Sequence, residues 1–143
     1  MHISRAKLKV RYSETDKMGI VYHSNYYPWF EIGRGEYIIK SGITYKNMEE
    51  QGIMMPLVET YCKYIEGAKY DDSIIIETFI KELSPVKVIF NYNVIREEDN
   101  KILAQGYTTQ TFINSNFKII NLKRSHPEIW EKLYALYEDK QSS

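Results

Sequence analysis

The chain has 143 residues, the size of one ordinary domain, so we expect a single domain over residues 1–143. It carries 19 Lys and Arg against 19 Asp and Glu, and such a balance gives no net attraction for nucleic acid or an anionic membrane. The charged N-terminus and the lack of any run of about 18 apolar residues argue against a signal peptide and against membrane insertion.

The first predicted element is a half-buried strand. Residues 5–13 alternate, with Leu8, Val10 and Tyr12 on one face and Lys or Arg on the other. The single cysteine, Cys62, has no second thiol with which to form an intrachain disulfide or a zinc motif, which fits the reducing cytoplasm.

A long helix is predicted next, over residues 26–41. Apolar side chains surround most of its circumference, so we expect it to be buried. Ser24 and Asn25 are both suitable N-caps. Gly33 and Gly35 each cost helix propensity, about 1 kcal/mol relative to alanine, and close backbone approach is the expected reason for them.

The rest of the chain predicts a short helix, four strands and a terminal helix. The short helix is expected near residues 44–51, and an amphipathic helix over residues 127–137. The strands are expected over residues 57–66, 73–83, 85–96 and 101–113. Asn100 suits a left-handed position in the last hairpin turn. Residues from Asp139 to Ser143 read as a frayed polar tail.

This order of elements predicts an α+β protein. The simplest packing wraps a curved antiparallel sheet of about five strands around the long central helix. Such a sheet has open edges that a second copy of the chain can cover, so we expect a homodimer or a homotetramer.

The candidate chemistry lies between the first strand and the long helix, from Asp16 to Asn25. Three common signatures are missing from the sequence: GxSxG, GxxxxGK[ST] and GxGxxG. The histidines are too scattered for a metal site, so we expect neither metal nor cofactor. A helix N-terminus offers free N–H groups to a developing oxyanion, and Asp16 adds a nearby carboxylate. By pattern alone, Asp16 is equally a turn former and His23 a solvated residue near the cap.

The run RYSETDKMGIVYHSNY, residues 11–26, resembles the signature of the hotdog-fold thioesterases related to 4-hydroxybenzoyl-CoA thioesterase. The segments PLVETYCKYIEGAKYDD, IETFIKEL and AQGYTTQTFIN are similar to the same family in order and spacing. The resemblance covers nearly the whole chain and implies a hotdog fold and hydrolysis of an acyl-CoA or acyl-carrier thioester.

The resemblance also implies roles for individual residues. Asp16 falls on the family's catalytic aspartate, which attacks the thioester carbonyl or activates water. His23 falls where the family uses a backbone N–H to polarise that carbonyl, although its imidazole is also placed to assist the leaving thiolate.

Six further residues are expected to bind substrate. Gly19 would allow close approach in the turn, Tyr22 and Asn25 would shape the pocket, and Glu59 falls where the family has an acid that faces the site across the dimer. Ser84 and Lys87 fall where relatives bind CoA phosphates, but this chain has SPVK there and lacks an arginine cluster.

Two other functions stay open at this point. A hotdog-fold hydratase or dehydratase would act on the acyl chain, but the sequence shows no second Asp/His pair typical of those enzymes. A non-catalytic binding module would bind acyl thioesters without hydrolysing them.

Overall fold

The structure is a computed structural model that describes residues 1–139, so the expected polar tail lies outside the described residues from position 140 onward. The strands are β1 (Ser4–Lys9), β2 (Leu57–Tyr64), β3 (Ser73–Ser84), β4 (Lys87–Arg96) and β5 (Lys101–Thr111). The helices are α1 (Tyr26–Ile39), α2 (Tyr45–Glu50), α3 (Leu122–Ser125) and α4 (Pro127–Glu138). Two 3₁₀ turns, Tyr12–Glu14 and His23–Asn25, join β1 to α1.

The five strands form one antiparallel sheet in the order β1-β3-β4-β5-β2. Register shifts interrupt the β3–β4, β4–β5 and β2–β5 pairings, and such bulges bend a sheet. α1 lies against one face, where Phe30 stacks on Tyr92 of β4 at 4.2 Å between ring centres. The predicted α+β architecture, a curved sheet around a long helix, is confirmed.

The two glycines inside α1 have different surroundings. A side chain at Gly33 would collide with Ile76 and Thr78 on β3, with only 2.9 Å to the Ile76 Cγ2, so the expected close approach is confirmed there. At Gly35 no atom lies within 4 Å of the position a side chain would take, and the expectation is wrong. The helix therefore contacts the sheet on the side that carries Gly33.

Three details of the sequence interpretation are corrected. β1 ends at Lys9, and Tyr12 lies in a 3₁₀ turn where it is 76% exposed. α1 is buried on one side only, because nothing within residues 1–139 covers Ile32 and Ile39, which are 45% and 55% exposed. Asn25 is the N-cap residue of α1, but its side chain forms no capping bond.

β2 is an edge strand with large apolar side chains on its surface. Val58, at the register shift of the β2–β5 pairing, is 63% exposed, and Tyr61, which pairs with Tyr107, is 46% exposed. An edge with this composition normally pairs with another chain or is covered. No helix within residues 1–139 is both long and apolar enough to cross a membrane.

Candidate active site

The segment after β1 folds back on itself as a tight hairpin. Thr15 and Val21 form an isolated antiparallel bridge. Between them, the Asp16 N–H donates to the Ile20 carbonyl at 2.9 Å and the Gly19 N–H donates to the Asp16 carbonyl at 3.0 Å. Gly19 has φ +80°, a left-handed conformation that favours glycine. The turn therefore requires Gly19 for its backbone.

Asp16 forms a turn contact through one carboxylate oxygen only. Its Oδ1 accepts a hydrogen bond from the Met18 N–H at 2.8 Å, which is the local contact of a turn-forming aspartate. No residue from 1 to 139 donates to its other carboxylate oxygen. One oxygen thus fixes the rotamer and the other stays available for chemistry.

Glu14 anchors this segment, although sequence reasoning gave it no role. Its buried carboxylate accepts hydrogen bonds from the Trp29 Nε1 and from the Arg11 N–H, each at 2.8 Å. Its backbone carbonyl accepts from the Tyr22 N–H at 2.9 Å and from the Asn25 Nδ2 at 2.8 Å. A single residue therefore joins the hairpin to the first turns of α1.

The environment of Glu14 keeps its carboxyl ionised. Burial acts to raise its pKa, but the hydrogen bonds from Arg11 and Trp29 outweigh burial and hold the pKa below the ordinary value of glutamate. A hydrogen-bonded carboxylate is a rigid support for a loop, because each donor loses a strong partner if the loop moves.

The N-terminus of α1 points at the hairpin through the 3₁₀ turn His23–Asn25. The backbone N–H groups of His23 and Ser24 have no acceptor within the described chain. The Tyr64 hydroxyl donates to the His23 carbonyl at 3.0 Å, which ties this turn to β2. Free N–H groups at a helix start attract negative charge, so the turn can stabilise an oxyanion.

Asp16 and His23 line one pocket with a volume of about 230 Å³. Tyr26 and Tyr64 form its aromatic wall, with 5.2 Å between ring centres. Burial raises the pKa of both phenols, so both remain neutral hydrogen-bond donors near pH 7. The pocket thus brings together a carboxylate, a helix start and neutral hydroxyl groups.

Three other predicted residues lie beside this pocket. Gly19 is in the turn below it, and neither Tyr22 nor Asn25 forms its wall. The ring of Tyr22 packs against the ring of His23, with 4.4 Å between centres. Asn25 holds the loop through Glu14. Tyr22 and Asn25 therefore contact His23 and Glu14, respectively, without lining the pocket themselves.

Glu59 faces away from this pocket. It lies on β2 beside Tyr61, and the Tyr107 hydroxyl donates to it, an interaction that raises the pKa of that phenol. The rings of Tyr61 and Tyr107 stack at 5.3 Å on the same face. Within one chain Glu59 therefore takes no part in the Asp16 site.

Ser84 and Lys87 are also remote from Asp16 in the same chain. They close the β3–β4 turn, where the Ser84 Oγ accepts from the Lys87 N–H at 3.2 Å and Lys87 pairs with Glu82 at 3.7 Å. Phe90 packs against Tyr37, in the C-terminal half of α1, so this turn lies beyond the opposite end of the helix.

Sequence and structure comparisons identify the family of this chain. The profile of the family described as "Thioesterase-like superfamily" matches residues 10–131. "Putative acyl-CoA thioesterase YneP" of Bacillus subtilis is 31% identical over 134 residues, which cover 94% of this chain and 96% of that protein. The 4-hydroxybenzoyl-CoA thioesterase of Pseudomonas sp. strain CBS-3 is 31% identical over 91 residues, covering 62% and 64% of the two chains.

The fold matches a solved thioesterase structure closely. A crystal structure described as DHNA-CoA thioesterase from Staphylococcus aureus superimposes with a TM-score of 0.89 and 34% identity, covering 94% of this chain and 90% of that chain. The resemblance to hotdog-fold thioesterases that residues 11–26 carry is confirmed, as is the expectation of a thioesterase-type enzyme. The chain belongs to the Thioesterase-like superfamily.

Proposed function

We propose that this protein hydrolyses acyl-CoA thioesters, with Asp16 as nucleophile or general base and the N-terminus of α1 as the oxyanion site. The observation that carries the proposal is that Asp16 and His23 line one pocket at a helix start with free N–H groups. Thioester hydrolysis needs a group that attacks and donors that stabilise the carbonyl oxygen, and this pocket supplies both.

In the proposed reaction the thioester carbonyl oxygen accepts a hydrogen bond from the His23 N–H. As the carbonyl carbon is attacked, its oxygen gains negative charge, which the helix dipole stabilises. The resulting tetrahedral intermediate collapses, the carbon–sulfur bond breaks and CoA leaves as a thiolate that takes up a proton. No metal or cofactor enters the scheme.

Two routes of attack share this geometry. In one, Asp16 accepts a proton from water while the water oxygen bonds to the carbonyl carbon. In the other, Asp16 itself bonds to the carbonyl carbon, and water then hydrolyses the acyl-aspartyl anhydride. The free oxygen of Asp16 serves either route, because the bond to Met18 occupies only Oδ1.

For His23 we propose that the backbone N–H, not the imidazole, stabilises the thioester carbonyl oxygen. The imidazole lies at the surface between Tyr22 and Tyr64, whereas the peptide group that carries the His23 N–H is held through the Tyr22 carbonyl, which accepts from the Asn25 N–H at 2.9 Å. A donor held by the backbone needs no reorganisation as charge develops.

A complete site is proposed to need a second copy of the chain. The exposed apolar side chains of β2 suit pairing of this edge with the same edge of another chain, in a homodimer or a tetramer of dimers. In that assembly Glu59, Ser84 and Lys87 would approach the site of the partner and contact the CoA part of the substrate. Equilibrium sedimentation of the wild type and of Val58→Glu tests this arrangement.

The names of the relatives support CoA thioesters as the substrate class. The relatives are named for 4-hydroxybenzoyl-CoA and DHNA-CoA among others, and an acyl-carrier protein would present the same thioester. A cytoplasmic location belongs to the same proposal, since the single thiol of Cys62 is free.

The test is thiol release from a panel of aliphatic and aromatic acyl-CoA and acyl-carrier thioesters. Asp16→Asn should reduce kcat by a factor of about 10³ or more. Asp71→Asn is the matched control, because it removes an exposed carboxylate that pairs with Lys9 and does not line the pocket, and it should keep full activity. Full activity in Asp16→Asn would contradict the mechanism, and no turnover by the wild type across the panel would contradict the function.

A further inference from the structure

A positive charge is buried in the middle of α1. Arg34 is only 8% exposed, and its Nη1 donates to the Tyr92 hydroxyl at 3.1 Å. Its Nε has no hydrogen-bond partner, and no carboxylate from residue 1 to residue 139 forms an ion pair with it. A buried guanidinium is costly unless it is paired, so the lack of a counter-charge requires an explanation.

Arg34 forms part of the wall of two clefts. The first has a volume of about 270 Å³ and lies between α1 and β2, where Tyr27, Pro28 and Leu57 give it apolar walls. The second has a volume of about 250 Å³, and Tyr45 and Gln110 add polar groups to its wall. Glu31 also lines both clefts, so the two clefts meet at Glu31 and Arg34.

The first cleft lies along the same side of α1 and β2 as the Asp16 pocket. Alternate residues of a strand share a face, so Thr60, which lines the cleft, lies on the same face of β2 as Tyr64, which lines the pocket. From Tyr26 to Arg34, α1 rises about 12 Å. An acyl chain of medium length that extends from the pocket along α1 would therefore reach Arg34.

We propose that the acyl group extends from the Asp16 pocket along α1 into the first cleft, and that Arg34 binds a carboxylate at the end of this path. The preferred substrates would then be CoA thioesters whose acyl group ends in a second carboxylate. This inference rests on the proposed function, because it places the acyl group of that reaction. The guanidinium fork matches a carboxylate in geometry and charge, and the apolar walls before it suit a methylene chain.

The acidic residues of the two clefts, Glu31 in both and Glu49 in the second, do not replace such a ligand. Glu31 and Glu49 are exposed, and neither forms an ion pair with Arg34. Glu31 lies one turn before Arg34 on α1, so Glu31→Gln is a matched control that changes the local charge without touching the guanidinium. This control should leave the preference for a terminal carboxylate intact or increase it.

The experiment compares acyl-CoA pairs of equal length that end in a carboxylate or in a methyl group: adipoyl with hexanoyl, suberoyl with octanoyl, and sebacoyl with decanoyl. Binding is measured by calorimetry on the full chain carrying Asp16→Asn, and hydrolysis is measured on the wild type. We expect one length at which the carboxylate-ended thioester binds about tenfold or more tightly. Arg34→Gln in the same background should abolish this difference.

The possible outcomes distinguish a failure of the proposed Arg34 subsite from a failure of the proposed hydrolysis. Equal binding within every pair, or a preference that persists in Arg34→Gln, would overturn the subsite. If Arg34→Gln does not fold, Arg34→Lys keeps a cation but loses the planar fork, and an undiminished preference in that variant would also overturn it. Selective binding without hydrolysis by the wild type would contradict the proposed function alone, whereas hydrolysis without selectivity would contradict the subsite alone.

Discussion

The Tyr64 hydroxyl donates a hydrogen bond of 3.0 Å to the carbonyl of His23, and this bond connects the edge strand to the proposed oxyanion turn. Because a peptide group is planar, fixing the carbonyl of His23 also fixes the direction of the Ser24 N–H. An edge strand that is free to pair with another chain thus touches the backbone that would hold the substrate carbonyl.

Tyr64→Phe should lower kcat about tenfold while changing KM little, since the lost bond orients the Ser24 N–H, the second free donor of the oxyanion turn, which acts most strongly in the transition state. Steady-state kinetics on the best acyl-CoA substrate measure the effect. Tyr61→Phe is the matched control, because Tyr61 lies on the other face of the same strand and stacks on Tyr107. An equal loss of kcat in both variants would show that the loss comes from a disturbed β2 and not from the missing hydrogen bond between Tyr64 and His23.

Glu14→Gln should destabilise the protein by about 1–3 kcal/mol, because an amide cannot accept hydrogen bonds at both positions from the Trp29 and Arg11 donors. Denaturant unfolding near pH 7 gives the free energy of unfolding of both proteins. A difference below measurement error would contradict the anchoring role of Glu14.

The stabilisation from Glu14 should depend on pH with a defined sign. The pKa of Glu14 is lower in the folded chain than its ordinary value, so its contribution is complete above the ordinary pKa of glutamate and is lost as the pH falls through the folded pKa. The Tm difference between wild type and Glu14→Gln should therefore shrink on acidification and stay constant between neutral and mildly alkaline pH. A difference that grows in acid would contradict this assignment.

Gly33→Ala and Gly35→Ala should have opposite effects on stability. At Gly33 the added methyl group meets Ile76 and Thr78 on the sheet, so we expect a loss of about 1–3 kcal/mol. At Gly35 the space is open and alanine is the better helix former, so we expect a gain of up to about 1 kcal/mol. Thermal unfolding of the two variants, measured side by side, tests whether α1 packs against β3 through Gly33.

Most of the fold follows from patterns that are local in the sequence. β3 and β4 alternate with period two over most of their length, and the turn at Asn100 takes the predicted left-handed conformation, with φ 60°. The missed elements are short: two 3₁₀ turns and α3 lack the length at which a periodicity can be recognised. The pattern extends β1 to Tyr12 because apolar–polar alternation continues past Lys9, the residue at which strand pairing stops.

The candidate site is predictable only where its residues are neighbours in the chain. Asp16, Gly19 and His23 lie in one segment, so turn chemistry and family resemblance both indicate them. Glu14 acts through Trp29, which is 15 residues away, and Tyr64 acts on His23 from 41 residues away. Such contacts exist only after the sheet and α1 have packed, and a single sequence carries no sign of them.

The turn at Asp16 also makes the protein suitable for site-specific labelling. The Met18 side chain is 77% exposed and lines the pocket, while its backbone N–H is the group that holds Asp16. Burial raises the pKa of the Cys62 thiol, so that thiol reacts slowly near neutral pH. A fluorophore on Met18→Cys would therefore sit at the mouth of the pocket, where its emission could report when a thioester enters and when its product leaves.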